Sequence, residues 1–370
     1  MAAKLPTDQD LGETDDNEDF SFPPAERRVI TQPLDLSVQT LQEQWGSRQL
    51  VLPEIQREYV WDNAKASRLI ESLLLNIPIP VLYFAETEEA KYEIFDGHQR
   101  VRSIVNYLGG LYPLSGLAVL REYRGLRYLE LPDREQRFLR MRTLRTILIS
   151  IDSHPNMKFE IYERLNTGSI SLNAQELRNS IYRGPFNDLL HELANLSSFR
   201  VLIGTKMPRK RMVDEEAILR FFAMREKLGT YKTPLKKFLN EFMSTVRSAN
   251  SQQIEAYRKT FIRAVDTAAE LLGQSAFRVL GSSGEPAETA VNRALLESQL
   301  LACSWVAGPH LPSAKAVKKH VAALFMDETF TDAVQRATGD RSRTLKRVRD
   351  TVTAIQSAGA KLQVPHNLSH

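Results

Sequence analysis

Cysteine is nearly absent: Cys303 is the single one in 370 residues. That excludes a disulfide framework and zinc clusters of the paired-cysteine kind, and it fits a reducing compartment. Long apolar runs are missing too. None approaches the roughly 18 residues that mark a membrane-span candidate, so no membrane partner is expected. The first residues lack the basic, apolar, small-residue order of a secretory signal, and the expected location is cytoplasmic. Catalytic signatures are equally sparse. The chain has neither a G-x-x-x-x-G-K-[ST] phosphate loop nor a G-x-G-x-x-G dinucleotide turn. Its seven histidines show no H-E-x-x-H spacing, and His366-Asn367 stands without companion ligands. These absences argue against Walker-type ATPases and zinc hydrolases. Glu89-Ala90-Lys91 imitates the end of a nuclease motif, but three-residue matches arise readily by chance.

What is present is an ordinary globular composition, 42% hydrophobic and 25% charged. A chain of this length buries a sizeable core without staples and favours two domains over one. The net charge of +4 is unevenly spread. Residues 1–26 hold eight acids (Asp8, Asp10, Glu13, Asp15, Asp16, Glu18, Asp19, Glu26) against Lys4 alone, a local net of −7, so the remaining chain carries +11. A basic body points to an anionic partner. The acidic leader then reads as solubiliser, competitor or docking arm, or as a disordered segment without a role.

The pattern along the chain predicts an α+β protein, with a small mixed α/β domain followed by a mostly helical bundle. Residues 1–28 form an acidic, disordered leader and 29–155 the α/β domain. A helical extension covers 156–200, and an α-helical C-terminal domain covers 201–370. In the α/β domain, Leu69, Ile70, Leu73 and Leu74 line one side of a helix with Asp62 at its cap position. Val81–Phe84, Lys91–Phe95 and Thr146–Ile151 read as strands. Val101, Ile104, Val105 and Leu108 mark a helix that Gly109-Gly110 stops. Beyond residue 155 strands are not expected. Asn173 and Glu176 fit a capping box. Leu235, Phe238, Leu239, Phe242, Met243 and Val246 form a core stripe on a helix opened by Thr233-Pro234.

Polar clusters stand at element boundaries. Pro53-Glu54-Ile55-Gln56-Arg57-Glu58-Tyr59-Val60-Trp61 precedes the first helix. Asp96-Gly97-His98-Gln99-Arg100 occupies a strand-to-helix turn. Arg164-Leu165-Asn166-Thr167-Gly168 leads to Gln175-Glu176-Leu177-Arg178. A strand end, a glycine turn and open helix N–H groups make a natural anion site, and Arg100 offers a planar fork for phosphate. Taken alone, the second cluster reads equally as an Asp cap with a solvated arginine.

Taken together and in this order, the three clusters resemble the Asp-Gly-Gln-Gln-Arg domain family, which is ParB/sulfiredoxin-like. That family supplies the S-type half of GmrSD-like type IV restriction enzymes. The resemblance runs from Pro53 to Arg183, about a third of the chain. It implies that the α/β domain binds or hydrolyses a nucleoside triphosphate with Mg²⁺. Asp96, Gly97, His98, Gln99 and Arg100 would form the phosphate edge, with Asp96 on the metal. Gln56, Arg57, Tyr59 and Trp61 would close the pocket, and Asn166, Gly168, Gln175, Glu176 and Arg178 would contribute from the helical segment. Asp96, Arg100 and Glu176 are the catalytic candidates, with Glu176 orienting water. Tyr59 and Trp61 read equally as core aromatics, and Glu176 as a helix cap. His98 stands where the family has Gln, which leaves nucleotide choice open. The HNH nuclease module that often follows this domain is not recognisable, so DNA cleavage is expected from a partner protein.

Basic residues add a second theme. Eight arginines fall within residues 121–145, and Lys206 and Arg209-Lys210-Arg211 cluster further on. Near the C-terminus Arg343, Arg347 and Arg349 lie on a helix whose apolar face is Leu345, Val348, Val352 and Ile355. Such a helix contacts duplex DNA through its backbone phosphates, or is simply a solvated face. The expected function is a nucleotide-binding protein, an NTPase in antiviral defence or DNA restriction. The alternatives are a non-hydrolysing DNA-binding or regulatory switch, and a ParB-like DNA nickase.

Overall fold

The computed structural model describes residues 27–52, 59–165, 172–308, 310–336 and 338–365. The acidic leader, read above over residues 1–28, lies outside them apart from its last two positions. The chain forms two compact units that divide between Leu172 and Asn173.

The N-terminal unit contains β1 (Thr31–Pro33), β2 (Leu36–Ser37), α1 (Val38–Gly46), β3 (Leu50–Val51), α2 (Asn63–Leu74), β4 (Leu82–Glu86), β5 (Tyr92–Asp96) and α3 (His98–Leu108). After two short 3₁₀ turns come α4 (Asp133–Met141), β6 (Thr143–Leu144), β7 (Thr146–Ile149) and α5 (Pro155–Leu165). A mixed five-stranded sheet runs in the order β1-β7-β4-β5-β3. Its β7/β4 and β5/β3 pairs are parallel, and β1/β7 and β4/β5 are antiparallel. The central strands are those with consecutive apolar residues: Leu82, Phe84 and Ile94 are fully buried. Helix α2 begins because the Asp62 carboxylate accepts from Lys65 N at 2.7 Å. It buries Leu69, Ile70, Leu73 and Leu74, and packs on α3, which buries Val101, Ile104, Tyr107 and Leu108. Each such side chain contributes about 1.5–3 kcal/mol of burial. Glu71 is the exception on α2, a buried carboxylate. It accepts from the backbone N–H groups of Ala118 (3.1 Å), Val119 (2.8 Å) and Leu120 (2.8 Å). Burial alone would raise its pKa; the bonds from Leu120, Val119 and Ala118 outweigh this and hold it below the ordinary glutamate value. The loop entering the arginine-rich segment is thereby pinned.

The C-terminal unit contains α6 (Ala174–Ile181), α7 (Pro185–Ala194), α8 (Ser197–Ile203), α9 (Val213–Lys227), α10 (Leu235–Val246) and α11 (Ser251–Leu272). It continues with α12 (Arg293–Ser304), β8 (Val306–Ala307), α13 (Ala314–Leu324), α14 (Glu328–Gln335), α15 (Arg341–Ser357) and β9 (Lys361–Leu362). The architecture is thus the expected small sheet domain followed by helices. The expected stripe on α10 is buried at all six positions. Helix α12 is buried along its length from Ala294 to Ser304, with Cys303 fully enclosed. Strands do recur past residue 155: β8 and β9 form a two-residue antiparallel ladder, too short to leave an alternating pattern in the sequence. No helix among the described residues is long and apolar enough to cross a membrane.

Candidate functional site at the strand-to-helix turn

The turn after β5 is shaped by three local facts. Pairing between β4 and β5 slips by one residue: Tyr83 faces Asp96 but Phe84 faces Ile94. Such a bulge re-aims the strand end, and the skipped Phe95 stacks on Tyr162 of α5 with centroids 3.5 Å apart. Gly97 then takes a left-handed conformation, φ 95°. A Cβ there would overlap Leu82 Cδ2 and come within 3.1 Å of Arg100 Nη2. Helix α3 starts immediately afterwards, and Gly97 as N-cap offers it no side-chain bond.

Arg100 is committed to the protein. Its guanidinium bonds Asp96 Oδ2 at 2.8 Å, and also donates to the carbonyls of Pro80 and Val81. Its side chain is 11% exposed, whereas that of Asp96 is 40% exposed. Burial lowers the Arg100 pKa from its usual value, and Asp96 only partly offsets this. Arg100 therefore fixes the carboxylate and leaves it facing solvent.

Gln99 joins the first two motifs. Its Oε1 accepts from the backbone N–H groups of Val60 (3.1 Å) and Trp61 (3.3 Å). That assignment turns Nε2 toward His98 Nε2, 2.8 Å away, so the imidazole is the acceptor. Ser103 donates to Gln99 O at 2.7 Å. The Tyr59 hydroxyl, 2.9 Å from Ser103 Oγ, is accordingly the donor of that pair. The Tyr59 ring lies under Arg102, and Trp61 lies under Lys65 while packing against the core of the unit. Asp96, Gly97, His98, Gln99, Arg100, Tyr59 and Trp61 are thus brought together.

Gln56, Arg57, Asn166 and Gly168 lie outside the described residues. Gln175, Glu176 and Arg178 belong to α6 of the C-terminal unit. Glu176 completes the expected capping box: Oε2 accepts from Asn173 N at 2.7 Å, and Glu176 N bonds Asn173 Oδ1 at 2.8 Å. The same carboxylate is gripped by Arg211 through Nη2 (2.9 Å) and Nε (3.3 Å). Arg178 is fully buried, donating to Asn240 Oδ1 at 2.8 Å and Gln175 Oε1 at 3.2 Å. It also approaches Glu216, which pairs with Arg220 at 2.8 Å and Arg293 at 3.0 Å. Composition gave no sign of this Glu216 cluster beyond the i, i+4 spacing of Glu216 and Arg220.

The helix proposed for DNA requires a correction. Arg347 does not face outward: it is fully buried, paired with Glu297 at 3.0 Å and bonded to the carbonyls of Ala333 and Thr338. A partner on α12 draws it in. Arg343 pairs with Asp332 at 2.8 Å, and Arg349 is exposed.

Among the described residues no group of three His, Cys, Asp or Glu side chains is arranged to hold a metal. Asp96 is a single carboxylate. No curated protein matches the chain. Residues 39–183, which take in the Tyr59–Trp61 segment, the Gly97 turn and all of α6, match the family model of the GmrSD restriction endonuclease, N-terminal domain.

Proposed function

We propose that this chain is the nucleotide-binding component of a DNA restriction or antiviral-defence system, a Mg²⁺-dependent NTPase whose DNA cleavage comes from a separate nuclease partner. The match to a restriction-endonuclease domain supports the setting. The observation that carries the nucleotide reading is the turn itself. A partly exposed carboxylate stands at the end of an inner strand, next to a left-handed glycine, directly before a helix N-terminus. Backbone N–H groups and the helix dipole at such a turn favour phosphate. Mg²⁺ usually takes one or two protein carboxylates, with phosphate oxygens and waters completing its shell. A lone Asp96 therefore fits a metal that arrives with the nucleotide. Gln56 and Arg57 would close the pocket from the first motif. A water-orienting role for Glu176 would require release of Arg211.

The second reading, a non-hydrolysing switch, is favoured by the commitment of Arg100 to Asp96 and two carbonyls. Phosphoryl transfer needs positive charge on the developing oxygens, and this fork is already in use. Calorimetry with all four NTPs and dNTPs plus Mg²⁺ tests both. Binding is expected for at least one, with Asp96→Asn weakening it by roughly tenfold. Mg²⁺-dependent phosphate release that disappears in Asp96→Ala supports the NTPase. Binding without release favours the switch, and no heat with any of the eight overturns both.

A further inference from the structure

The arginines of residues 121–142 differ from the other basic clusters in how they are compensated. Among the described residues none of Arg121, Arg124, Arg127, Arg134, Arg137, Arg140 or Arg142 has a carboxylate within ion-pair distance, although Glu122, Glu130, Asp133 and Glu135 share the segment. Helix α15 is the opposite case. Arg343 is neutralised by Asp332, Lys346 by Asp327 and Asp350, and Arg347 by Glu297. A basic helix with its own counter-ions has little charge left for a polyanion.

Helix α4 is the exposed centre of the uncompensated segment. Leu139 alone is buried on it. Gln136 ties it down by donating to Leu131 O at 2.8 Å and Leu129 O at 3.2 Å. Asp133 and Glu135 in its first turn and Arg140 in its last match the helix dipole. Arg134, Arg137 and Arg140 are exposed and spaced three residues apart, so they advance about 4.5 Å per step along the axis. Phosphates of one B-DNA strand advance about 3.4 Å per step along its axis. Two of these arginines are pre-positioned on aromatic faces: Arg134 lies 5.2 Å from the Phe138 centroid and Arg140 5.6 Å from that of Tyr128. Leu129 and Met141, 77% and 75% exposed, flank them with apolar surface suited to deoxyribose.

We infer that the α4 face of the N-terminal unit, with Arg134, Arg137 and Arg140 as its contacts, is the surface that holds the phosphate backbone of duplex DNA, in place of α15. The inference does not depend on the nucleotide turn. It commits to DNA over an acidic protein because three exposed guanidiniums without ion-pair partners among the described residues repeat at even spacing along one helix beside exposed apolar surface, as a regular array of phosphates and sugars asks. Neutralising those phosphates releases the counter-ions condensed on the duplex. The test is fluorescence anisotropy of the full chain on a mixed-sequence duplex of about 25 base pairs, from 50 to 200 mM salt. Reversing Arg134, Arg137 and Arg140 to Glu should cut affinity at 50 mM salt by roughly 100-fold and reduce the salt slope by about 2–3. Arg343→Glu with Arg349→Glu should change neither appreciably. Because reversal also disturbs the helix dipole, the milder triple change to Gln should give the same reduction in slope with unchanged circular dichroism. The inference is overturned if the Gln triple leaves affinity and slope intact, if the α15 reversal has the larger effect, or if the wild type binds no duplex at 50 mM salt.

Discussion

Gly97 answers two demands that a side chain would fail separately. Its φ of 95° is a region that L-residues enter at a cost, and its missing Cβ leaves room for Leu82 and Arg100. Gly110 shows the first demand alone: φ is 71° and no atom lies within 4 Å of where a Cβ would sit. Gly110→Ala should therefore cost about 1–2 kcal/mol, the left-handed penalty. Gly97→Ala should cost more, because Leu82, fully buried, must also move. Urea unfolding of the two variants compares them directly, and equal losses would mean that the Leu82 contact yields freely. The same residue-scale logic reassigns Arg100. Its value to the turn lies in holding Asp96 still, with the carboxylate rather than the fork left open to solvent.

At the scale of one element, the first turn of α9 holds Asp214, Glu215 and Glu216 in succession, all buried, and each meets a different environment. Burial would raise the Glu216 pKa, but Arg220, Arg293 and Arg178 reverse this and hold it below the ordinary range. For Glu215 burial wins: its pKa is raised, with His191 at 3.5 Å only partly opposing, and its Oε2 is buried with no hydrogen-bond partner. The signs of the pH effects follow from which state binds more protons. Glu216, depressed in the folded state, stabilises fully above the unfolded glutamate pKa of about 4.3 and loses this as pH falls through its folded value. Glu215, raised in the folded state, is a cost at neutral pH that is relieved on acidification. At pH 7, Glu216→Gln should destabilise the helical unit by about 3–5 kcal/mol, the penalty for breaking a buried pair. Glu215→Gln should instead stabilise it and remove the relief on acidification. Chemical denaturation at pH 7 and pH 4.5 checks both, and a loss of stability in Glu215→Gln at pH 7 would refute the assignment.

Across the whole molecule, what the sequence disclosed depended on whether a signal was local. Helices α2, α3 and α10 were readable because each buries one side, so apolar residues recur every three or four positions. Tyr107 was missed on α3 only because its hydroxyl hid an otherwise fully buried ring. Strands β1, β3, β8 and β9, two or three residues each, are too short to alternate. Helix α12 is enclosed on all sides, which erases the period altogether. In the site, Asp-Gly after an apolar run marked the turn. The hold of Gln99 on Val60 and Trp61 was visible only as the order of two motifs, and the bonds of Arg100 to backbone carbonyls have no side-chain signature at all. Arg347 looked solvent-facing because its partner, Glu297, lies 50 positions away. The enclosed α12 has a practical consequence through its one sulfur. Cys303 is fully buried, and burial pushes its thiol up to about 12. The thiolate is the reactive form, so alkylation has to wait until α12 is uncovered. In native buffer a maleimide should leave the chain unlabelled by mass spectrometry over hours. Adding urea below the unfolding midpoint should raise the labelling rate exponentially, with the denaturant dependence of the helical unit itself. A single native atom thus serves as a clock for how often this unit opens, with no probe to be introduced.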